Sequence, residues 1–352
     1  MQVGERQGKR PRVARDLTLL ALVGVLLVGA LLAGAGALYR EFYSPSAFVQ
    51  RYLSLLEDGR AADALALPGV ALDSAELEAA GLPPTASDAL LRRAALGNLR
   101  DARITSETVD GEDVVVGVHF VAGGHDGDVD FRVRSDGVIG VAPAWRFSQS
   151  PLAVVELQVT GSMVFAVNDF VVDKRQVSVD GVDADPSASL PLLVFSPGIY
   201  AVSVDTAMAE ADGVAVISNA PMRSVPVEVD ARPTVEFTDL VQQRVEEFLT
   251  ACATQEVLQP TGCPFGYVVN NRVEKLPTWS IVQQPLVTLV ADGAGWRIPD
   301  TGAVAHIEVG VRSIASGAYR DVSEDVPFLV NGTIEVLDDG TASIRIGGAQ
   351  AG

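Results

Sequence analysis

The chain has 352 residues, of which 45 are acidic and 26 are basic, and its net charge at pH 7 is −19. Residues 1–40 hold six of the basic and two of the acidic residues, so the remainder carries a net charge of −23. Because such a surface repels nucleic acid, we expect no nucleic-acid partner. The sequence also lacks a phosphate-binding P-loop, a dinucleotide fingerprint and a Gly-x-Ser-x-Gly elbow, which argues against the enzymes that these motifs identify.

An uninterrupted apolar stretch, residues 17–39, follows a short basic tail, residues 1–16. The stretch contains no charged residue, and as a helix it is long enough to cross the roughly 30 Å hydrocarbon core of a bilayer. The excess of Lys and Arg in the tail predicts that the N-terminus stays in the cytoplasm. We therefore predict a single-pass transmembrane signal anchor in the lipid bilayer of the cell membrane, with residues 41–352 extracytoplasmic.

A cleaved signal peptide is the alternative to an anchor. Ala33-Gly34-Ala35 and Ala35-Gly36-Ala37 both have the small-residue pattern of a cleavage site. The apolar stretch is, however, longer than the core of about 7–15 residues that signal peptides usually have. We expect an uncleaved anchor, and the sequence leaves the alternative open.

Residues 45–150 are predicted to form an α+β domain. Ser44 and Pro45 are typical of a helix start, and Gly59 is typical of a helix end. A short helix is predicted after Gly59, and a further helix over Ser87–Leu96. Alternating Val-rich segments then predict three antiparallel strands joined by Gly-containing turns: Ile104–Val109, Asp113–Val121 and Val129–Arg134. Helices followed by such a meander predict the α+β class.

Short strands separated by turn residues predict a small β-sandwich module over residues 151–232, and Val177–Val179 is one of these strands. Residues 233–352 combine an amphipathic helix, Thr238–Thr254, with further strands and a closing hairpin. The hairpin is predicted from Thr333–Leu337 and Ser343–Ile346 around an Asp-Asp-Gly turn. The predicted fold class is therefore α+β throughout: an N-terminal transmembrane helix, a helix-plus-antiparallel-sheet domain, a small β-sandwich and a C-terminal α+β domain.

The chain has two cysteines, Cys252 and Cys263, and both lie in the part predicted to be exported. In an oxidising compartment this pair predicts a structural disulfide. A redox-active pair is the alternative, and it would favour the tighter Cys-x-x-Cys spacing. The three histidines are scattered and lack the spacing of metal ligands, so we predict no metal site. Because the motifs named above are also missing, we predict no cofactor and no catalytic residue.

Two segments of the chain echo each other. Pro143–Leu152 and Pro277–Leu286 share residues at five of ten positions, including Trp145 and Trp279. Each is interpreted as a strand with its Trp on one face, ending where Pro prevents further pairing. Duplication of a domain would explain the echo, but the distance from helix to Trp is much shorter in the second copy. Whether the domains are duplicates stays open.

The helix, Gly and short-helix order of Phe48–Leu67, with the closing Trp145-Arg146-Phe147, resembles the cone-shaped domains of the nuclear-transport-factor-2-like superfamily. This resemblance covers residues 45–150 and implies a fold without implying a function. In the second module, Pro197-Gly198-Ile199-Tyr200 resembles the turn of surface β-modules of the PEGA type.

As a whole, the chain resembles a class of single-pass envelope proteins of high-GC Gram-positive bacteria, most of them uncharacterised. The resemblance depends on the basic tail, the anchor, the Trp-x-Phe-x-x-x-Pro-Leu segment beginning at Trp145, and Cys252 with Cys263-Pro264-Phe265. The chain is more distantly similar to teicoplanin-resistance-associated membrane proteins, whose exported parts also combine such modules. Those proteins often carry a cytoplasmic zinc ribbon, whereas residues 1–16 contain no cysteine.

The resemblance and the composition together favour a non-catalytic binding or scaffold module for a cell-wall component or a partner protein. The alternative is a small-ligand receptor or an enzyme that uses the concave face of the 45–150 domain. A deep pocket near Trp145 with two or more convergent ionisable groups would favour that alternative.

Overall fold

The computed structural model describes residues 17–30, 42–139, 142–337 and 341–347. The fold is α+β, with mostly antiparallel sheets and few helices, as the sequence predicts. Residues 17–30 form helix α1. The tail, residues 1–16, and the second part of the predicted anchor, residues 31–39, lie outside the described residues. Within the described ranges, no helix combines the length and the apolarity needed to cross a membrane.

Three further α-helices follow α1 and precede the first sheet: α2 (Pro45–Glu57), α3 (Ala61–Leu65) and α4 (Ser74–Ala79). The hydroxyl of Ser44 accepts a hydrogen bond from the Ala47 amide at 3.1 Å, which caps α2 as predicted. Gly59 follows the helix with φ +69°, a backbone conformation that disfavours side chains with a Cβ atom. Helix α2 therefore starts and ends at the residues that the sequence indicates.

The helix predicted over Ser87–Leu96 is wrong. The segment contains only a 3-10 turn, Arg93–Ala95. The Ser87 amide donates to Pro191 O at 2.9 Å, and Ser87 O accepts from the Leu193 amide at 2.8 Å. These bonds hold Ser87 in extended conformation beside a strand of the next module, so tertiary pairing overrides the local preference for helix.

Four antiparallel strands form the first sheet in the order β1-β2-β3-β4, and the predicted strands lie inside β1, β2 and β3. Helix α2 packs on this sheet through Tyr52, whose ring contacts Phe147 and Phe131 edge to face at 5.2 and 5.8 Å between centroids. The strands are β1 (Leu99–Asp110), β2 (Asp113–Ala122), β3 (His125–Ile139) and β4 (Ala142–Phe147).

Two further sheets form the sandwich, in the orders β11-β5-β8 and β12-β10-β9-β6-β7. Strands β5 and β11 are parallel, and the other pairs are antiparallel. The strand predicted over Val177–Val179 is wrong, because a helical turn, α5 (Lys174–Val177), occupies its start. The strands are β5 (Leu152–Thr160), β6 (Val164–Val167), β7 (Phe170–Asp173), β8 (Leu190–Phe195), β9 (Gly198–Asp205), β10 (Ala209–Ser218), β11 (Ser224–Asp230) and β12 (Arg232–Pro233).

Strands β5 and β8 are buried on both faces. Leu152, Val154 and Phe195 belong to the hydrophobic core of the first sheet and α2. The alternate side chains, such as Val155 and Leu192, belong to a second core inside the sandwich. The Tyr52 hydroxyl also donates to Ser196 O at 2.9 Å, just beyond β8. The first sheet and the sandwich are therefore joined through this three-stranded sheet.

The last part contains helix α6 (Val235–Ala253), which confirms the amphipathic helix predicted over Thr238–Thr254 and starts three residues earlier. Its buried side chains belong to the same core as the interior of the sandwich, so this core is continuous across the predicted boundary at residues 232 and 233. The final sheet has the order β13-β15-β16-β17, with β14 beside β15. Its strands are β13 (Arg272–Gln283), β14 (Val290–Asp292), β15 (Gly295–Arg312), β16 (Tyr319–Val336) and β17 (Ala342–Gly347).

The closing hairpin is confirmed by the pairing of Glu335 with Ser343 and of Val336 with Ala342. Its predicted turn, residues 338–340, lies outside the described residues. The two echoing segments both form edge strands, but they differ in chain order. Trp145 lies on β4, the last strand of the first sheet along the chain, whereas Trp279 lies on β13, the first strand of the final sheet. The echo therefore does not extend to the order of the strands.

Cys252 and Cys263 lie at disulfide distance, with 2.03 Å between the Sγ atoms and 5.8 Å between the Cα atoms, consistent with the predicted bond. The pair closes the loop that follows α6. In this loop Phe265 packs against Trp279, with 4.9 Å between ring centroids, and the Trp279 indole donates to Val257 O at 2.8 Å. The disulfide therefore holds a loop that covers the first strand of the final sheet.

Loss of this disulfide is expected to destabilise the fold by about 3 kcal/mol, because the unfolded chain regains the entropy of a short loop. The measurement is denaturant unfolding of the purified chain before and after reduction. The double variant Cys252→Ser, Cys263→Ser is the control, and its stability should not respond to reductant. Mass mapping without reductant should find the two cysteine peptides linked, and two free thiols would contradict the assignment.

Candidate binding site

A cavity of about 510 Å³ lies between the sandwich and the final sheet. Six segments that are distant in sequence form its walls: residues 161–164, 173–175, 182–186, 206–209, 294–296 and 336–337. Most of them are turns or strand ends, and the strands behind them belong to the continuous second core. The volume lies in the range of about 300–1,000 Å³ that is typical of small-molecule sites.

Much of the lining is apolar. Met163, Met208 and Leu337 face the cavity, and Val182 is 84 % exposed beside it. Methionine side chains are flexible and polarisable, so they adapt to apolar groups of different shape. This lining suits the apolar part of a ligand.

Trp296 forms part of the wall and is only 2 % exposed. Its ring packs edge to face against Phe237, with 6.4 Å between centroids. No group in the described part of the chain accepts a hydrogen bond from its indole N–H, which is buried. A buried donor without an acceptor costs about 1–3 kcal/mol, so this N–H is an unsatisfied polar group in a residue of the wall.

Gly161 allows the ring of Trp296 to approach the turn between β5 and β6. Its φ of +83° is unfavourable for residues with a Cβ atom, and an added Cβ would lie 3.3 Å from Trp296 Cη2. The same Cβ would lie 3.3 Å from Ala231 O. Glycine at this position therefore sets the shape of the wall.

Asp173 and Arg175 form the charged pair in the wall. Arg175 Nη2 donates to Asp173 Oδ2 at 2.7 Å, and Arg175 Nε donates to Oδ1 at 3.0 Å. The hydrogen bond from Arg175 is the main reason that the pKa of Asp173 is lowered. The hydroxyls of Ser162 and Thr206 bond to the backbone of their own turns. Most polar groups of the wall are therefore already satisfied.

Lys174 holds the wall segment over residues 182–186 in place. Its side chain is 4 % exposed, and its ammonium donates to Pro186 O at 3.0 Å and to Ala188 O. Burial lowers the pKa of Lys174, because the charged form loses its hydration. The buried ammonium is directed to backbone carbonyls on the segment after Asp183, so the segment is held in place beside the cavity.

The concave face of the first sheet, where the alternative function was placed, is occupied by side chains. Tyr52, Phe131 and Phe147 fill it and are at most 1 % exposed. Trp145 lies at the last strand, and its indole donates to Tyr43 O at 2.9 Å. The indole N–H of Trp145 therefore already has an acceptor, and Trp145 does not line the cavity between the sandwich and the final sheet.

The structure brings together one cluster that the sequence does not indicate. His306 Nδ1 lies 2.6 Å from Asp325 Oδ1, and His306 Nε2 lies 3.0 Å from Ser323 Oγ. This order of bonds is that of a serine-hydrolase triad. The cluster lies on an open sheet face, with Asp325 66 % exposed, and it lies outside the cavity. Cross-strand pairing of His306 with Asp325 is a sufficient structural role.

The other histidine with a close acidic partner is His119, whose Nδ1 lies 3.1 Å from Asp128 Oδ1 on the neighbouring strand. In the described ranges, no three His, Cys, Asp or Glu side chains converge in a way that could hold a metal ion. His119 and His306 therefore pair with acidic residues across strands. None of them lines the cavity.

Gly161→Ala is expected to destabilise the fold by about 1 kcal/mol more than Gly181→Ala. Both glycines have positive φ, but an added Cβ meets nothing within 4 Å at Gly181, whereas it crowds Trp296 at Gly161. Denaturant unfolding gives the two free energies, and the change in tryptophan fluorescence between the two variants reports the shift of the Trp296 ring, because Trp145 and Trp279 lie in other strands. Equal destabilisation with unchanged fluorescence would show that Gly161 does not set the wall.

The chain matches no protein-family model, no curated protein and no solved structure. The physical properties of the cavity are therefore the basis for the functional proposal.

Proposed function

We propose that this protein is a membrane-anchored extracytoplasmic binding module without catalytic activity, and that the cavity beside Trp296 holds part of a cell-wall component or of a partner protein. The observation that carries the proposal is a preformed cavity of about 510 Å³ with an apolar lining and an indole N–H that lacks an acceptor among the described residues. Such a combination of apolar walls and few directed polar groups is typical of ligand sites.

The rigidity of the walls supports a binding role. The Asp173–Arg175 pair, the Lys174 ammonium and Gly161 hold three of the wall segments through bonds and close contacts inside the protein. A ligand that enters a preformed site orders few side chains, so less of its interaction free energy is lost on binding. The basic tail and the apolar stretch over 17–39 support the proposed location at the membrane, and the −23 charge of the remainder agrees with an exposed soluble part.

A photo-crosslinking amino acid at Val182 tests the proposal in intact cells. Val182 is exposed beside the cavity, so a bound fragment of the cell wall or a bound protein segment should form an adduct with it. Val171 on β7 is the matched control, because it is 64 % exposed and does not line the cavity. We expect an adduct at Val182 and none at Val171, measured by mass spectrometry of the purified chain.

A blocking variant shows whether the adduct depends on the cavity. Ala294 lies in the turn between β14 and β15 and lines the cavity, so Ala294→Trp should fill part of it and abolish the adduct at Val182. Ala318→Trp, in an exposed turn elsewhere, should leave the adduct unchanged. Equal adducts at Val182 and Val171, or an adduct that survives Ala294→Trp, would contradict the proposal.

A hydrolase is the second candidate function, and the bonds from His306 to Ser323 and Asp325 are the observation that favours it. In this reading Ser323 is the nucleophile, His306 accepts its proton and Asp325 orients the imidazole. The open position of the cluster on the sheet makes this the weaker candidate, because catalysis also needs a bound substrate and donors for the oxyanion.

A fluorophosphonate probe distinguishes the two candidates. If the cluster is only structural, the purified chain should remain unlabelled, since Ser323 lacks an activated hydroxyl. If it is catalytic, labelling should occur at Ser323 and should be lost in Ser323→Ala and in His306→Gln. Ser280→Ala is the control, because Ser280 pairs with His306 from the opposite strand and should not affect labelling.

A further inference from the structure

We infer that the cavity beside Trp296 selects ligands with an apolar body and a positively charged group, such as an alkylammonium. The inference rests on the proposed function and adds the charge of the ligand to it. It depends on which charged groups of the wall are already paired and which are not.

Among the residues that the structure describes, three ionisable side chains line the cavity: Asp173, Arg175 and Asp183. The first two neutralise each other through two side-chain hydrogen bonds of 2.7 and 3.0 Å. Asp183 is exposed at the cavity and takes part in no ion pair or side-chain hydrogen bond with any residue that the structure describes. The lining therefore presents one uncompensated negative charge.

Lys174, between the lining residues Asp173 and Arg175, does not compensate this charge. Its ammonium is buried and bonded to the carbonyls of Pro186 and Ala188. Arg297 is an exposed cation that follows Trp296, but more exposed carboxylates lie on the segments that form or adjoin the walls: Asp180, Asp185, Asp205 and Asp292. The mouth of the cavity is thus negative, and like charges add to its potential at short range.

The apolar and charged groups of the site lie at different depths. Trp296 is buried in the wall, whereas Asp183 and Val182 are exposed beside the cavity. A ligand with its apolar body against Met163, Met208 and Trp296 would hold its charged end close to solvent, near Asp183. A cation there keeps part of its hydration and is attracted by the carboxylate, while an anion would be repelled.

Binding of three soluble probes of equal length tests the inference: phenylbutylammonium, phenylbutanol and phenylbutyrate. The full chain is placed in lipid nanodiscs, with empty nanodiscs as the blank, and calorimetry reports binding, with tryptophan fluorescence, to which Trp296 contributes, as a second signal. We expect the cation to bind roughly 10-fold more tightly than the anion, with the alcohol between them. Asp183→Asn should weaken binding of the cation roughly 3–5-fold, which is the upper part of the range for an exposed ion pair.

The control is Asp180→Asn, which removes a nearby exposed carboxylate outside the cavity and should change the affinity less than twofold. Equal affinities for the cation and the anion, or no effect of Asp183→Asn, would overturn the inference and leave the proposed binding function intact. If none of the probes binds, or if Ala294→Trp fails to weaken binding, the cavity is not a ligand site and both proposals fail.

Discussion

The structure depends on the burial of strands β5 and β8 on both faces. Leu152 and Phe195 pair across these strands and face the core below α2, while Val155 and Leu192 pair and face the interior of the sandwich. A shift of one residue in either strand would move the side chains of that strand to the opposite core. The position of the first sheet relative to the sandwich is therefore fixed by the register of one strand pair.

The cavity occurs on the other side of the sandwich, where its outer turns meet the final sheet. There the strands are held by a continuous core that includes Trp296 and Phe237, but the walls themselves are short connecting segments. A change in such a segment alters the cavity with little effect on the core behind it. In the proposed binding role, the turns would therefore determine ligand selectivity, while the strands determine stability.

Local signals account for the elements that the sequence predicts well. The cap at Ser44, the amphipathic pattern of α6 and the turns of the first sheet each act within a few residues of the chain. The errors arise where a distant segment decides the conformation. Ser87 is extended because it pairs with β8, and the segment from Lys174 turns because its side chain bonds to the carbonyls of Pro186 and Ala188. The residue patterns of these two segments do not indicate the distant partners.

The candidate site could not be predicted for the same reason. Its six wall segments converge only through the contact between the sandwich and the final sheet. The unpartnered indole of Trp296 becomes visible only when all neighbouring acceptors are placed, and sequence alone favours a core role for each tryptophan. Likewise, Ser323 and His306 meet because of the register between β15 and β16. By contrast, the pairing of Cys252 with Cys263 follows from the count of cysteines.

The apolar wall has a chemical sensitivity of its own. Of the four methionines in the chain, Met163 and Met208 both line the cavity and are partly accessible to solvent. Oxidation of a thioether to the sulfoxide makes a flexible apolar side chain polar. Oxidants that reach the cavity would therefore make part of its apolar lining polar, without cutting the chain or unfolding its core. In the proposed binding role, such oxidation would weaken contacts with an apolar ligand, and reduction of the sulfoxide would restore them.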